Sequence, residues 1–261
     1  MSTVHRSAAI GYATNTETYA SGRPDYPPEV DQWLQSHLRL RPDQTVLDLG
    51  AGTGKFSKKL SATGAKVIAL DPVPAMLKQL LREQPLIETR LGSADSLPFE
   101  SDSIDVIVCA QSFHWFATHE ALAEILRVLR PGGRLGLIWN VRDETVAWVA
   151  ALTRLMEPYE GNAPRYRTGE WRSLFPAKGF SALHEERFTN KHTGSSEQVI
   201  IDRIFSVSFI AALGEAEQKK VNSEMRQLIA ASPELAGKSS VSFPYETVAF
   251  SCAKLTTDEA V

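Results

Sequence analysis

The stretch Thr45-Val46-Leu47-Asp48-Leu49-Gly50-Ala51-Gly52-Thr53-Gly54-Lys55-Phe56-Ser57 restricts the possible folds of this chain more than any other. Val46, Leu47 and Leu49 form a short apolar run that reads as a buried strand. Three glycines follow at alternate positions, and residues 55–62 have a helix-like pattern. Strand, glycine turn and helix in that order is how a parallel α/β sheet offers backbone N–H groups to a ligand. Glycines let the chain turn sharply and remove the Cβ atoms that would hold a ligand away. A ligand is therefore expected over this turn, and charge separates two kinds. A diphosphate on the helix N-terminus would be repelled by a fixed carboxylate nearby. Asp48 stands two residues before the first glycine, at the expected mouth of the turn, and Lys55 and Phe56 occupy the region where a dehydrogenase fingerprint has its third glycine. An acid there suits a ligand carrying an ammonium group, although Lys55 would tolerate an anion.

Residues Val46 to Gly54 resemble the first motif of the class I S-adenosylmethionine-dependent methyltransferases. The resemblance continues in order through Leu70-Asp71-Pro72, Gly92-Ser93-Ala94-Asp95-Ser96-Leu97-Pro98-Phe99 and Leu126-Arg127-Val128-Leu129-Arg130-Pro131-Gly132-Gly133. Four ordered blocks over residues 41–141 are far more specific than one glycine pattern. The opening Tyr19-Ala20-Ser21-Gly22-Arg23-Pro24-Asp25-Tyr26-Pro27 is similar to the leading segment of a small-molecule branch, the trans-aconitate-methyltransferase-like proteins. The resemblance implies a Rossmann-like fold, S-adenosyl-L-methionine as cofactor and methyl transfer to a small-molecule acceptor, on oxygen, nitrogen or carbon. Two alternatives keep the fold: other chemistry with the same cofactor (cyclisation, rearrangement or elimination), or a non-catalytic binding module.

Composition narrows the class. In 261 residues, 43% are hydrophobic and 23% charged, enough for a sizeable core. The formal net charge is −3 without a dense Lys/Arg block, which disfavours a nucleic-acid partner. Cys109 and Cys252 both lie in apolar strand-like runs and read as buried thiols rather than a disulfide framework. The sequence shows no signal core and no run of membrane-spanning length, so a cytoplasmic protein without membrane contact is expected, as a monomer or homodimer.

The elements alternate as in a parallel sheet. Strands are expected at 45–49, 66–70, 87–91, 104–110 and 134–139, and helices at 29–40, 55–62, 74–83 and 118–129. Pro74 opens one of these helices, and Pro131-Gly132-Gly133 stops another. Beyond Asn140 the alternation breaks. Helices are expected at 144–157, 171–177, 197–211 and 215–231, with a strand-like stretch at 181–188 and a closing strand at 240–253. The fold class is α/β: an open, mostly parallel Rossmann-like sheet with an antiparallel closing strand and a small helical cap. Residues 1–40 form a lid segment and its following helix, 41–194 the cofactor-binding core, 195–237 the cap and 238–261 the closing strand.

The candidate site residues follow from these positions and from the resemblance. Asp48, Gly50, Gly52 and Gly54 belong to the turn. Asp71, ending the second strand, can accept both ribose hydroxyls, with Pro72 beside it; alone it would read as a solvated acid. The resemblance gives Asp95 the adenine amino group, with Ala94 next to it. Gln111 leaves the fourth strand toward the methionine part of the cofactor, and Tyr19 and Arg23 in the lid would cover it. His114 is the one histidine placed to act as a base near the transferable methyl, and its alternative is a structural role. Trp115, Asn140, Arg142, Tyr159 and Ser208 are candidates for acceptor binding; Arg142 could hold a carboxylate or simply pair with Asp143 in solvent. Arg165, Tyr166 and Arg167 form a further polar-aromatic group, and Arg203 is expected on the cap's inner wall. No metal site is expected, because His114 and His119 are five apart and do not share a helix face.

Overall fold

The structure, a computed structural model, describes residues 22–256. Tyr19 and the start of the expected lid lie outside the described residues. Seven strands form one sheet in the order β3-β2-β1-β4-β5-β7-β6. They are β1 (Thr45–Leu49), β2 (Lys66–Asp71), β3 (Glu88–Leu91), β4 (Ile104–Ala110), β5 (Leu129–Arg142), β6 (His184–Gly194) and β7 (Val241–Ala253). Only β7 runs against its neighbours, pairing antiparallel with both β5 and β6. β1 pairs in parallel with β2 on one side and β4 on the other. The order reverses between β1 and β4, so the ligand crevice of such a sheet opens at their carboxyl ends.

Alternation along β1 explains why the motif lies as it does. Leu47 and Leu49 enter the core on one face of the sheet, and Val46 enters the core on the other with Trp33, Leu34 and Phe56. Successive side chains point to opposite faces, so Asp48 shares the face of Val46. It is therefore carried under the following helix, away from the mouth of the turn.

Around the sheet lie α1 (Glu29–Ser36), α2 (Lys55–Ser61), α3 (Pro74–Glu83) and α4 (His119–Val128). α1 ends four residues earlier than its apolar pattern suggests, because Arg39 takes a left-handed conformation (φ 52°) while Leu38 and Leu40 stay buried. α4 starts at a capping threonine: the Thr118 hydroxyl accepts from the Ala121 N–H at 3.1 Å. Strand β5 begins at Leu129, not Arg134, and Pro131-Gly132-Gly133 is absorbed in an irregularity of its pairing with β4. β6 lies three to six residues later than expected, and Glu170–Leu174 is a 3₁₀ turn.

A second hydrophobic core sits beside the sheet. It joins α5 (Ala147–Met156), the helical run 197–211 and α8 (Glu215–Ala231) to Val241, Phe243 and Tyr245 of β7. The run at 197–211 starts as a π-helical stretch at Glu197–Asp202 and continues as α6 (Arg203–Phe205) and α7 (Ser208–Ala211). Trp148, Val149, Leu152 and Met156 make α5 part of this cap, so the cap is larger than the 195–237 insertion. Among the described residues, no helix is long and apolar enough to cross a membrane.

Candidate active site

The glycine turn admits no side chain at its first glycine. Gly50 has φ +75°, and a Cβ there would meet the Ser112 Cβ at 2.6 Å. Ser112 lies just past β4, and its hydroxyl donates to the Leu49 carbonyl at 2.7 Å, which ties the ends of β1 and β4 together. Gly52 donates its N–H to Asp71 Oδ2 at 2.9 Å, and Val73 donates to Asp71 Oδ1 at 2.8 Å. Both carboxylate oxygens are thus oriented by backbone, with lone pairs left for hydroxyl donors. Burial raises the Asp71 pKa to about 6, against the lowering effect of those two N–H groups.

Gly50, Gly52, Asp71, Pro72, Ala94, Gln111 and Arg23 line one cavity over the turn. Its walls also include Tyr26, Phe56 and Met76, and Trp115, Phe116 and Asn140 close its far end. Gln111 stands in a left-handed conformation (φ 60°), held by its N–H to the Ile138 carbonyl at 2.8 Å. The segment at 22–28 is tied across this cavity. Lys55 donates to the Arg23 carbonyl and pairs with Asp25 at 3.3 Å. Arg23 donates to the Ser206 hydroxyl at 3.1 Å and to the Ser206 carbonyl at 2.9 Å. Asn190 donates to the Asp25 carbonyl at 2.8 Å.

Three of the expected cofactor residues lie elsewhere. Asp48 is fully buried beneath the turn and does not line the cavity; Oδ2 accepts from the Ser57 hydroxyl at 2.6 Å, and Oδ1 has no partner. Burial holds its pKa up at about 7, so an electrostatic preference at the mouth of the turn does not come from a constantly charged Asp48. Asp95 is exposed beside the cavity, outside its lining, while its neighbours Ser93 and Ala94 line it. Gly54 caps α2 at φ +80° against Leu80 instead of facing the ligand space.

A second chamber opens beyond the first and shares Arg23, Gln111, Trp115, Asn140 and Arg203 with it. Its wall also includes His114, Arg142, Arg165, Ser208 and two acids, Glu144 and Glu160. The Arg142 guanidinium donates to Met156 Sδ at 3.4 Å, and Arg203 donates to the Tyr245 hydroxyl at 3.2 Å. Neither has a carboxylate within ion-pair distance among the described residues. Burial lowers both pKa values, that of Arg203 to about 10. Arg165 differs: it pairs with Glu160 at 3.1 Å and lies 4.1 Å over the Phe209 ring. The Ser208 hydroxyl is buried with no hydrogen-bond partner.

Asn140 is on the shared wall, but its amide is committed to structure: Oδ1 accepts from Thr247 at 2.5 Å and from Asn190 at 3.1 Å. Tyr159 does not line the chamber and packs against the second core instead. Sequence reading missed Ser112, Asn190 and Tyr245. Ser112 sits one residue after Gln111, where the clash built at Gly50 gives it a reason to be small; nothing local marks the other two. His37, His184 and Glu186 form the one metal-capable group found among the described residues, and none of them lines either chamber.

The fold defines an α/β protein with a cavity at the switch point of its sheet and a second chamber opening off the first. Residues 47–137 match the methyltransferase domain family. An uncharacterized methyltransferase-like protein of Schizosaccharomyces pombe is 37% identical over 93% of this chain and 95% of its own. An uncharacterized methyltransferase of Mycobacterium bovis is 36% identical over 95% of this chain and 97% of its own. Phosphoethanolamine N-methyltransferase 2 of Haemonchus contortus, solved with phosphomonomethylethanolamine and S-adenosylhomocysteine, shares the fold at a TM-score of 0.60 and 15% identity, over 98% of this chain and 61% of that one. The chain belongs to the class I S-adenosylmethionine-dependent methyltransferases, and S-adenosyl-L-methionine is its cofactor.

Proposed function

We propose that the protein methylates a small anionic acceptor, a carboxylic acid, held in the second chamber. The observation that carries this reading is the pair of arginines there, Arg203 buried and Arg142 half-buried, neither of them at ion-pair distance from a carboxylate among the described residues. Glu144 acts on Arg142 only from beyond ion-pair distance, and a bound carboxylate would give the guanidinium a bidentate partner. The cofactor residues fit their role: a cradle free of Cβ atoms at Gly50 and Gly52, and an oriented acceptor pair on Asp71 for the ribose hydroxyls.

When bound, the cofactor supplies an already activated methyl group, so the protein's own share is placement. Asp71 and the glycine turn orient the nucleoside end. Arg23, held by Ser206, and Tyr26 lie over the cavity and exclude water. Gln111 and Trp115, common to both chambers, stand where donor and acceptor meet, and a ring beside a sulfonium stabilises positive charge. Arg142 and Arg203 would hold the acid in the chamber beside the bound cofactor, a gain of the proximity type.

The test is label transfer from S-adenosyl-[methyl-³H]methionine to a panel of small acids, with Arg142→Gln compared to the native protein. Loss of one charge-assisted bidentate contact is expected to raise KM for the acid on the order of 10- to 100-fold, with S-adenosylhomocysteine affinity unchanged by calorimetry. An Arg142→Gln protein with unaltered KM would remove the basis for an anionic acceptor.

A further inference from the structure

Trp139 and His114 fix one another in a way that decides what His114 can do. The Trp139 indole N–H, which can only donate, points at His114 Nδ1 at 3.1 Å. Nδ1 must then present its lone pair, and a neutral imidazole with its lone pair at Nδ1 carries its proton on Nε2. This tautomer is assigned from the hydrogen-bond geometry. Nε2 makes no hydrogen bond with any described residue, and the ring lines the acceptor chamber.

We propose that His114 is a hydrogen-bond donor that selects acceptors arriving already ionised, and that it is not the base of the reaction. This rests on the acid-acceptor reading above and states how the chamber enforces it. A base needs a free lone pair, and the only one on the neutral ring is spent on Trp139. The charged groups around the ring point the same way. Burial, with Arg165 and Arg23 close by, pushes the His114 pKa down to about 3, so the ring stays neutral through the working range. Glu144 and Glu160 also line the chamber: Glu160 pairs with Arg165 and Arg167, and Glu144 Oε1 accepts from the Thr153 hydroxyl at 2.7 Å. Burial pushes the Tyr166 hydroxyl up, which keeps it a donor as well. A neutral alcohol or an ammonium would find no free lone pair on the His114 ring to take its proton. A carboxylate needs none: an oxygen lone pair forms the new O–CH₃ bond while the S–CH₃ bond breaks, its electron pair stays on sulfur as the neutral thioether, and no proton moves. The product is a methyl ester.

The experiment has one arm that does not need turnover. Long-range ¹H–¹⁵N spectra of the S-adenosylhomocysteine complex, with His114 assigned by its loss in His114→Gln, are expected to show the Nε2–H tautomer from pH 6 to 8. An Nδ1–H pattern, or a ring that titrates in that range, overturns the proposal. In the second arm, label transfer is measured to succinate, benzoate, phenol and benzylamine. Label is expected only in the two acids, with kcat/KM flat between pH 7 and 9. His114→Gln, whose amide can still donate near the Nε2 position, is expected to keep at least about tenfold more kcat/KM than His114→Leu. Transfer to phenol or benzylamine alone, or a rising pH limb that His114→Gln abolishes, would identify a base and defeat the proposal. Transfer to none of the four overturns the acid-acceptor reading and the selection argued from it, whereas a wrong tautomer overturns only the role given to His114.

Discussion

Asp48 shows how one carboxylate of the glycine motif can lie buried beneath the cavity and outside its wall. It is fully buried, one oxygen is bound to Ser57 and the other has no partner. Its pKa rises from 3.8 to about 7, mainly through burial. The folded protein therefore holds this proton more tightly than the unfolded chain does. The stabilising contribution is full below the unfolded value, declines as pH rises, and is gone above about 7. The native protein is expected to lose stability between pH 5 and 8 relative to Asp48→Asn, which mimics the protonated group, by an amount on the order of 2 kcal/mol. Urea denaturation of both proteins at pH 5 and pH 8 measures this difference of differences. A stability gap that does not change with pH would mean that Asp48 is ionised at both ends.

At the scale of elements, the turn between β1 and α2 separates folding from binding. At Gly50 an added Cβ would strike Ser112 at 2.6 Å, whereas at Gly52 it would meet nothing within 4 Å and would enter the cavity. Both have positive φ, 75° and 57°, so alanine carries a conformational cost of about 1 kcal/mol at either. Gly50→Ala adds a backbone shift and is expected to cost about 3 kcal/mol or more. Gly52→Ala is expected to keep most of its stability and to lose S-adenosylhomocysteine affinity by at least about tenfold. Thermal melts and calorimetry on the two variants check this, and equal stability losses would refute it. This part of the molecule was legible in the chain, since alternating apolar residues, a glycine triplet and an acid at the next strand end are local patterns. The second chamber was only partly so. Arg142 and Ser208 could be named from their places at the end of β5 and in the cap, but Tyr159 packs inward, and Tyr245 reaches Arg203 from 42 residues away. Asp48 was misplaced because the motif gives its sequence position, while the pleat decides which face it takes.

For the whole molecule, the question is whether the cap is a separate body or part of the sheet. β7 answers it through continuity. Within this one strand Val241, Phe243 and Tyr245 belong to the second core, while Val248, Phe250 and Cys252 belong to the main sheet core. β6 pairs with residues 241–251 of this strand and β5 with residues 245–253, so the two cores share backbone hydrogen bonds as well as side chains. The tie at 22–28 adds to this, since Lys55 of α2 and Ser206 of the cap both hold Arg23. A cap that melted first would have to strip β7 from partners it keeps in the sheet. The two cores should therefore unfold together, and a ligand bound at one should protect both. Trp148 lies in the cap core, and Trp139 and Trp171 lie in the sheet core. Fluorescence of Trp148→Phe reports the sheet, and the native signal minus that of the variant reports the cap. Their denaturation midpoints should coincide, and S-adenosylhomocysteine at a hundred times its Kd should stabilise both by about 2.7 kcal/mol. An earlier cap transition, unmoved by ligand, would show instead that the acceptor chamber opens by local unfolding of its lid-side wall, independently of the sheet that binds the cofactor.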